Sequence, residues 1–267
     1  QNMLPQLKNG PRFSMTDFTE GFSLFIVGLF KKIALADFLA LYVNKVFGAP
    51  GEYPGLASLM ATYAFAWQIY FDFSGYTDMA RGVAKMFGYN LVLNFNNPYL
   101  ATGLGDFWRR WHISLSSWIK DYIYIPLGGN RHGRIMTYRN MIIAMLLAGF
   151  WHGASWTFII WGGLHAIGRS ATRELEGASF YRDRVPAYVK QFFTFHFVCL
   201  TWIFFRADTF GKAITILKNI FTFPYVDPKF PLVALAFIVL VWAYQFMFES
   251  RLKSALESRA VRMVLMF

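Results

Sequence analysis

Between Met141 and Gly168 the chain carries no Asp, Glu, Lys or Arg. An uncharged, mostly apolar run of that length suits a membrane-crossing helix, because roughly 20 residues span a hydrocarbon core about 30 Å thick. Inside the run lies "AGFWHGASWTF", Ala148 to Phe158, with His152 among aromatic and small residues. An ionisable side chain at such depth is costly unless protein or enclosed water surrounds it, so an intramembrane histidine marks a functional position by default. The alternative from residues alone is a neutral imidazole in an interhelical hydrogen bond. Gly149, Gly153, Ala154 and Ser155 are small enough to admit a neighbouring helix or a ligand chain.

Four further stretches share this character. Tyr53 to Phe71 and Phe230 to Phe248 are uncharged, Gln191 to Phe205 is shorter, and Phe22 to Leu41 is apolar apart from Lys31, Lys32 and Asp37. With 56% hydrophobic and only 15% charged residues, against about 25% charged in soluble domains, the expected class is an all-α, multi-pass membrane protein with five membrane segments. The formal net charge is +11. Its basic residues occupy the connections between apolar runs, which suits anionic lipid headgroups and not nucleic acid. Arg131, Arg134 and Arg139 precede the His152 run and Arg169, Arg173, Arg182 and Arg184 follow it, so charge does not fix its orientation.

Cys199 is the sole cysteine, which excludes an internal disulfide and a cysteine metal cage; it reads as a small buried apolar residue. The chain opens at Gln1 without a secretion signal, and reads as an internal start with helices expected before it. The linkers "GAPGEYPG" and "FPYVDPKFP" are short and no repeat occurs, so residues 1–267 are expected to form one domain. The final stretch, with Leu252, Leu256 and Met263 at helical spacing, reads as an interfacial helix or a plain tail helix.

The middle of the chain is aromatic but interrupted by charge. Asp106 is expected to cap a helix starting at Phe107, on which Trp108, Trp111, Leu115, Trp118 and Tyr122 form one face with His112 and Ser116 on its flank. Such a helix lies in the interface or dips into a protein-lined cavity. Beside Arg109 and Arg110, His112 is expected to stay neutral and able to accept a proton. His165, near the end of a span, His132, in a basic loop, and His196, without polar company, are set aside. In "YFDFSGYTDMARG", Asp72, Asp78 and Arg81 suit either an ion pair with a helix break at Gly75 or the lining of a polar cavity. No HExxH pair or carboxylate at ligand spacing points to a metal, and GxSxG, P-loop and GxGxxG motifs are absent.

The segments "FDFSGYTDMARG", "FWRRWHISLSSWIKDYIYIPLGGNR", "YRNMIIAMLLAGFWHGASWTFIIWGGLHA" and "TWIFFRADTFGKAITIL" occur in that order, from about Phe71 to Leu217. Together they resemble the membrane-bound O-acyltransferase family, in its bacterial alginate O-acetyltransferase branch. The resemblance implies a ring of transmembrane and re-entrant helices around a thinned centre, with the family's N-terminal helices outside this chain. It implies that His152 is the catalytic histidine and His112 its active-site companion. It further implies a bacterial inner-membrane location, acetyl-CoA as acyl donor with no bound cofactor, and an extracytoplasmic polysaccharide acceptor reached with a periplasmic acetyltransferase partner.

Residue chemistry converges on the same reaction. A hydroxyl attacking a thioester must lose its proton, and a neutral histidine is the natural base. His152 is therefore expected to act as base, with His112 orienting the acceptor or stabilising the developing oxyanion. Trp108, Arg109, Trp111, Asp72 and Trp151 are the expected substrate contacts, with Arg109 and Arg110 meeting either donor phosphates or lipid headgroups. D-alanyl or peptidoglycan acyl transfer within the same family, a transporter or channel, and a scaffold subunit without acyl chemistry are the competing readings.

Overall fold

The computed structural model describes residues 3–10, 13–222 and 226–249, and every regular element among them is helical. In chain order the α-helices are α1 (Met3–Asn9), α2 (Met15–Phe30), α3 (Asp37–Gly48), α4 (Gly55–Met86), α5 (Leu104–Arg110) and α6 (Ile113–Ile119). They are followed by α7 (Gly133–His152), α8 (Trp156–Gly177), α9 (Ser179–Arg184), α10 (Ala187–Arg206), α11 (Phe210–Phe221) and α12 (Leu232–Glu249). The stretch that would carry Leu252, Leu256 and Met263 lies outside the described residues. Two helices, Ala187–Arg206 and Leu232–Glu249, are long and apolar enough to cross a membrane.

Chain contacts divide the molecule into two compact units, one of residues 1–42, 64–93 and 229–267, the other of residues 43–63 and 94–228. In the first, α2 lies directly against α4. A Cβ built on Gly28 would stand 2.6 Å from the Gly75 carbonyl oxygen, and one on Gly82 would stand 2.5 Å from that of Gly21. The expected helix break at Gly75 does not occur: α4 runs unbroken through it, because the glycine serves close backbone approach and not a turn. Beyond α2 a π-helical segment, Lys31–Ala36, carries the chain into α3. Lys31 meets Asp78 at 2.7 Å, Asp78 also takes Arg81 at 3.2 Å, and Lys32 pairs with Asp72 and, at 3.0 Å, with Asp37. These pairs explain how charged residues sit in an otherwise apolar stretch.

In the second unit α7 and α8 pack most extensively and form a helical hairpin. The uncharged run from Met141 is therefore not one span. It is cut by the turn Gly153–Ser155, where Ser155 caps α8 by accepting from the Thr157 amide at 3.3 Å. His152 is the last residue of α7 and stands at the turn, not in mid-helix. The hairpin is seamed by glycines: a Cβ on Gly149 would overlap the Phe158 carbonyl oxygen, and one on Gly162 that of Met145. Behind it Trp161, Trp202, Tyr99 and Phe107 form a buried aromatic core from α8, α10, α5 and the short turn Pro98–Leu100. Cys199 is buried there as a free thiol.

The glycine seam yields a matched test. Gly162→Ala forces a methyl into backbone and should lower unfolding stability by about 1–3 kcal/mol, whereas Gly163→Ala, whose Cβ meets only Leu146 Cδ2 at 4.0 Å, should leave the melting temperature of the detergent-solubilised protein unchanged. Equal melting temperatures for both variants would contradict the seam.

Candidate active site

The single helix expected from Phe107 through Tyr122 is two helices. α5 begins earlier, at Leu104, so Asp106 does not cap it; Asp106 lies in the first turn, accepting from the Thr102 amide at 3.2 Å and pairing Arg110 at 3.1 Å. The chain then breaks at Trp111 and His112, and α6 restarts at Ile113. His112 adopts the left-handed conformation, φ 44° and ψ 55°, which is rare for a residue with a side chain. Asn94 holds the break open from a distance: its carbonyl accepts from the Ile113 amide at 3.0 Å and its Oδ1 from the Ser114 amide and hydroxyl.

His112 also caps α6 itself, its Nδ1 accepting from the Leu115 amide at 3.4 Å. A neutral imidazole with Nδ1 as acceptor carries its hydrogen on Nε2, so the far edge of this ring is a donor. Burial pushes the His112 pKa down to about 4, which keeps the ring neutral at physiological pH. The cause is desolvation and not the neighbouring arginines invoked from sequence.

His152 stands in an aromatic cage, its ring 4.9 Å from Phe205, 5.3 Å from Trp161 and 5.0 Å from Trp151. Trp151 also lies 6.5 Å from His112, so the kink and the hairpin turn bring both histidines into contact with one indole. No hydrogen bond to another described residue holds the His152 ring. Instead His152 lines a recess of about 480 Å³.

One face of α7, Met141, Ala144, Met145 and Ala148, forms the apolar wall of this recess, and Trp108 and Trp161 line it as well. Arg109, Lys120, Arg169 and Arg173 supply positive charge, and no carboxylate among the described residues lines it, although Asp106 pairs with Arg109 at 3.6 Å and Glu176 with Arg169 at 3.4 Å. Gly105 lets α5 come close to Arg169, because a Cβ there would stand 2.8 Å from the guanidinium carbon.

Of the expected site residues, His152, Trp108 and Arg109 share this recess; His112 and Trp151 are not among its lining residues, though the Trp151 ring contacts both His112 and His152. Trp111 does not line it: the ring is 4% exposed and packs on Phe95, Phe107 and Trp202 as core. Asp72 belongs to the other unit, where it pairs with Lys32. Trp161, Lys120, Arg169 and Arg173 were not anticipated; the arginines' spacing of four along the end of the uncharged run was the available signal. His196 has a polar partner, contrary to expectation, and so does His165. Thr201 Oγ1 lies 2.9 Å from His165 Nε2, and the Tyr63 hydroxyl 2.9 Å from His196 Nε2. Among the described residues no cluster of three His, Cys, Asp or Glu side chains suits a metal.

Residues 5–206 match the membrane-bound O-acyltransferase family. A peptidoglycan O-acetyltransferase of Helicobacter pylori is 43% identical over 220 residues, covering 81% of this chain and 42% of that protein. A probable alginate O-acetylase of Pseudomonas putida is 43% identical over 215 residues, covering 80% and 44%. A teichoic acid D-alanyltransferase of Bacillus subtilis is 31% identical over 172 residues, covering 58% and 42%. The chain thus spans less than half the length of these curated relatives. With a family match over most of its residues and relatives at this identity, the chain belongs to the membrane-bound O-acyltransferase family.

Proposed function

We propose that the chain is the histidine-bearing part of a multi-pass bacterial inner-membrane O-acetyltransferase that acetylates an extracytoplasmic polysaccharide. The observation that carries this reading is that His152, despite its apolar sequence, lines a recess that also holds cations. A helix ring with funnels from both faces, completed by helices outside this chain, and a periplasmic partner that delivers the acetyl group to the polymer belong to the same proposal.

In this mechanism a nitrogen of His152 takes the proton of the acceptor hydroxyl as its oxygen attacks the thioester carbonyl. The carbon–sulfur bond then breaks, and the protonated ring returns the proton to the departing thiolate. General base catalysis of this kind contributes about 10² to 10⁴ in rate. His112, with hydrogen on Nε2, is the donor that steadies the acceptor or the developing oxyanion. Aromatic walls keep out water, which would otherwise compete as acceptor. Arg109, Lys120, Arg169 and Arg173 fit the phosphates of a coenzyme A thioester. The same charge favours acetyl over D-alanyl transfer, because a D-alanyl group would bring its ammonium beside Lys120 and Arg173, which have no ion-pair partner among the described residues.

Three outcomes test this. In the full-length protein, His152→Ala should lower acetyl transfer by about 10² or more while the protein remains folded; near wild-type product would refute the base. His112→Ala should lower kcat by roughly 10², an unchanged kcat contradicting the donor role. Arg173→Ala should raise KM for acetyl-CoA but not for a short acetyl thioester without phosphate; parallel changes in both would remove the phosphate contact. Anion flux in vesicles without acyl product would favour a transporter instead.

A further inference from the structure

His165 is 0% exposed and takes no part in the mechanism above. Its ring lies 4.8 Å from Trp161 and 5.0 Å from Trp108, and stacks on Phe107 at 6.1 Å. Trp161 and Trp108 are also walls of the His152 recess, and their own rings stand 5.8 Å apart. His165 is thus the buried side chain directly behind the surface that the reactants would touch.

One assignment of its tautomer satisfies both contacts of Thr201. With the single hydroxyl hydrogen on the Val198 carbonyl, 2.8 Å away, Thr201 Oγ1 accepts from His165 Nε2 at 2.9 Å. In that assignment the ring carries its hydrogen on Nε2 and shows a lone pair at Nδ1. That Nδ1 is buried without a partner among the described residues, and so are the indole Nε1 atoms of Trp108 and Trp161. One acceptor and two donors, each costly to leave unpaired, collect within one aromatic nest. A buried water makes about three hydrogen bonds, typically to such otherwise unsatisfied groups.

We propose that His165 is a positioning residue: its Nδ1, through one water that accepts from the Trp108 and Trp161 indoles, fixes the two aromatic walls that set reactants against His152. The water donates one hydrogen to Nδ1 and receives the two indole N–H bonds, so the three otherwise unpartnered side-chain atoms each gain a partner. Rigid support behind the walls matters because small misplacement of reactants costs rate steeply. The role in catalysis rests on the proposed acyl transfer; the water bridge does not.

The test uses ¹⁵N-labelled full-length protein in lipid nanodiscs, reading the indole N–H signals of Trp108 and Trp161 together with acetyl transfer. His165→Asn places Oδ1 where Nδ1 stood and should keep both indole signals and most of kcat. His165→Gln reaches towards Thr201 instead, and should move both signals and lower kcat roughly tenfold or more at unchanged KM. Thr201→Val, which releases the tautomer, should move the same signals. Asn and Gln variants that behave alike, or indole signals indifferent to all three changes, would overturn the bridge. Intact indole responses in a wild-type protein that transfers no acyl group would overturn the proposed reaction and leave the bridge standing.

Discussion

A backbone that leaves a helix exposes amides and carbonyls that need other partners, and the candidate site exists because this chain meets that need twice. At the end of α7 the turn is closed by Ser155, which accepts from the next helix's amide. At the junction of α5 and α6 the break is closed by Asn94 from a separate segment and by the ring of His112 itself. Both histidines of the proposed mechanism stand at these interruptions and not on uninterrupted helix. Placed in mid-helix, either ring would be flanked by turns of its own helix.

Much of the helical framework was readable from composition and run length. The uncharged stretches correspond to helices, and the absence of charge between Met141 and Gly168 marked the hairpin, though as one span. Gly153 and Ser155 are ordinary stop and start signals, but in a run otherwise so apolar they resembled small packing residues. The kink at His112 has no Gly or Pro to announce it; what stabilises it is Asn94, eighteen residues away. Trp111 and Asp72 do not line the recess for the same reason, since their neighbours come from remote segments.

The two units treat charge differently. In the first, cations and carboxylates neutralise one another in a chain of pairs from Lys31 and Lys32 to Asp72, Asp78 and Arg81. In the second, the recess gathers four cations, of which Arg109 pairs with Asp106 at 3.6 Å and Arg169 with Glu176 at 3.4 Å, while no described carboxylate stands in its wall. Ion pairing stabilises a fold, whereas the cations left over, Lys120 and Arg173, attract a partner of opposite sign. The difference is what makes the second unit the place to look for chemistry.

The backbone at His112 bears on which substitutions a natural population can explore. A side chain there must accept a left-handed conformation, cap the next helix with its near polar atom, and offer a hydrogen at its far edge. Glycine meets the first demand only, asparagine the first two, and glutamine lacks the short reach that capping needs. Sequence drift at this position is thus closed by conformation before chemistry is consulted, so its invariance among homologues would not by itself reveal how much the ring contributes to turnover.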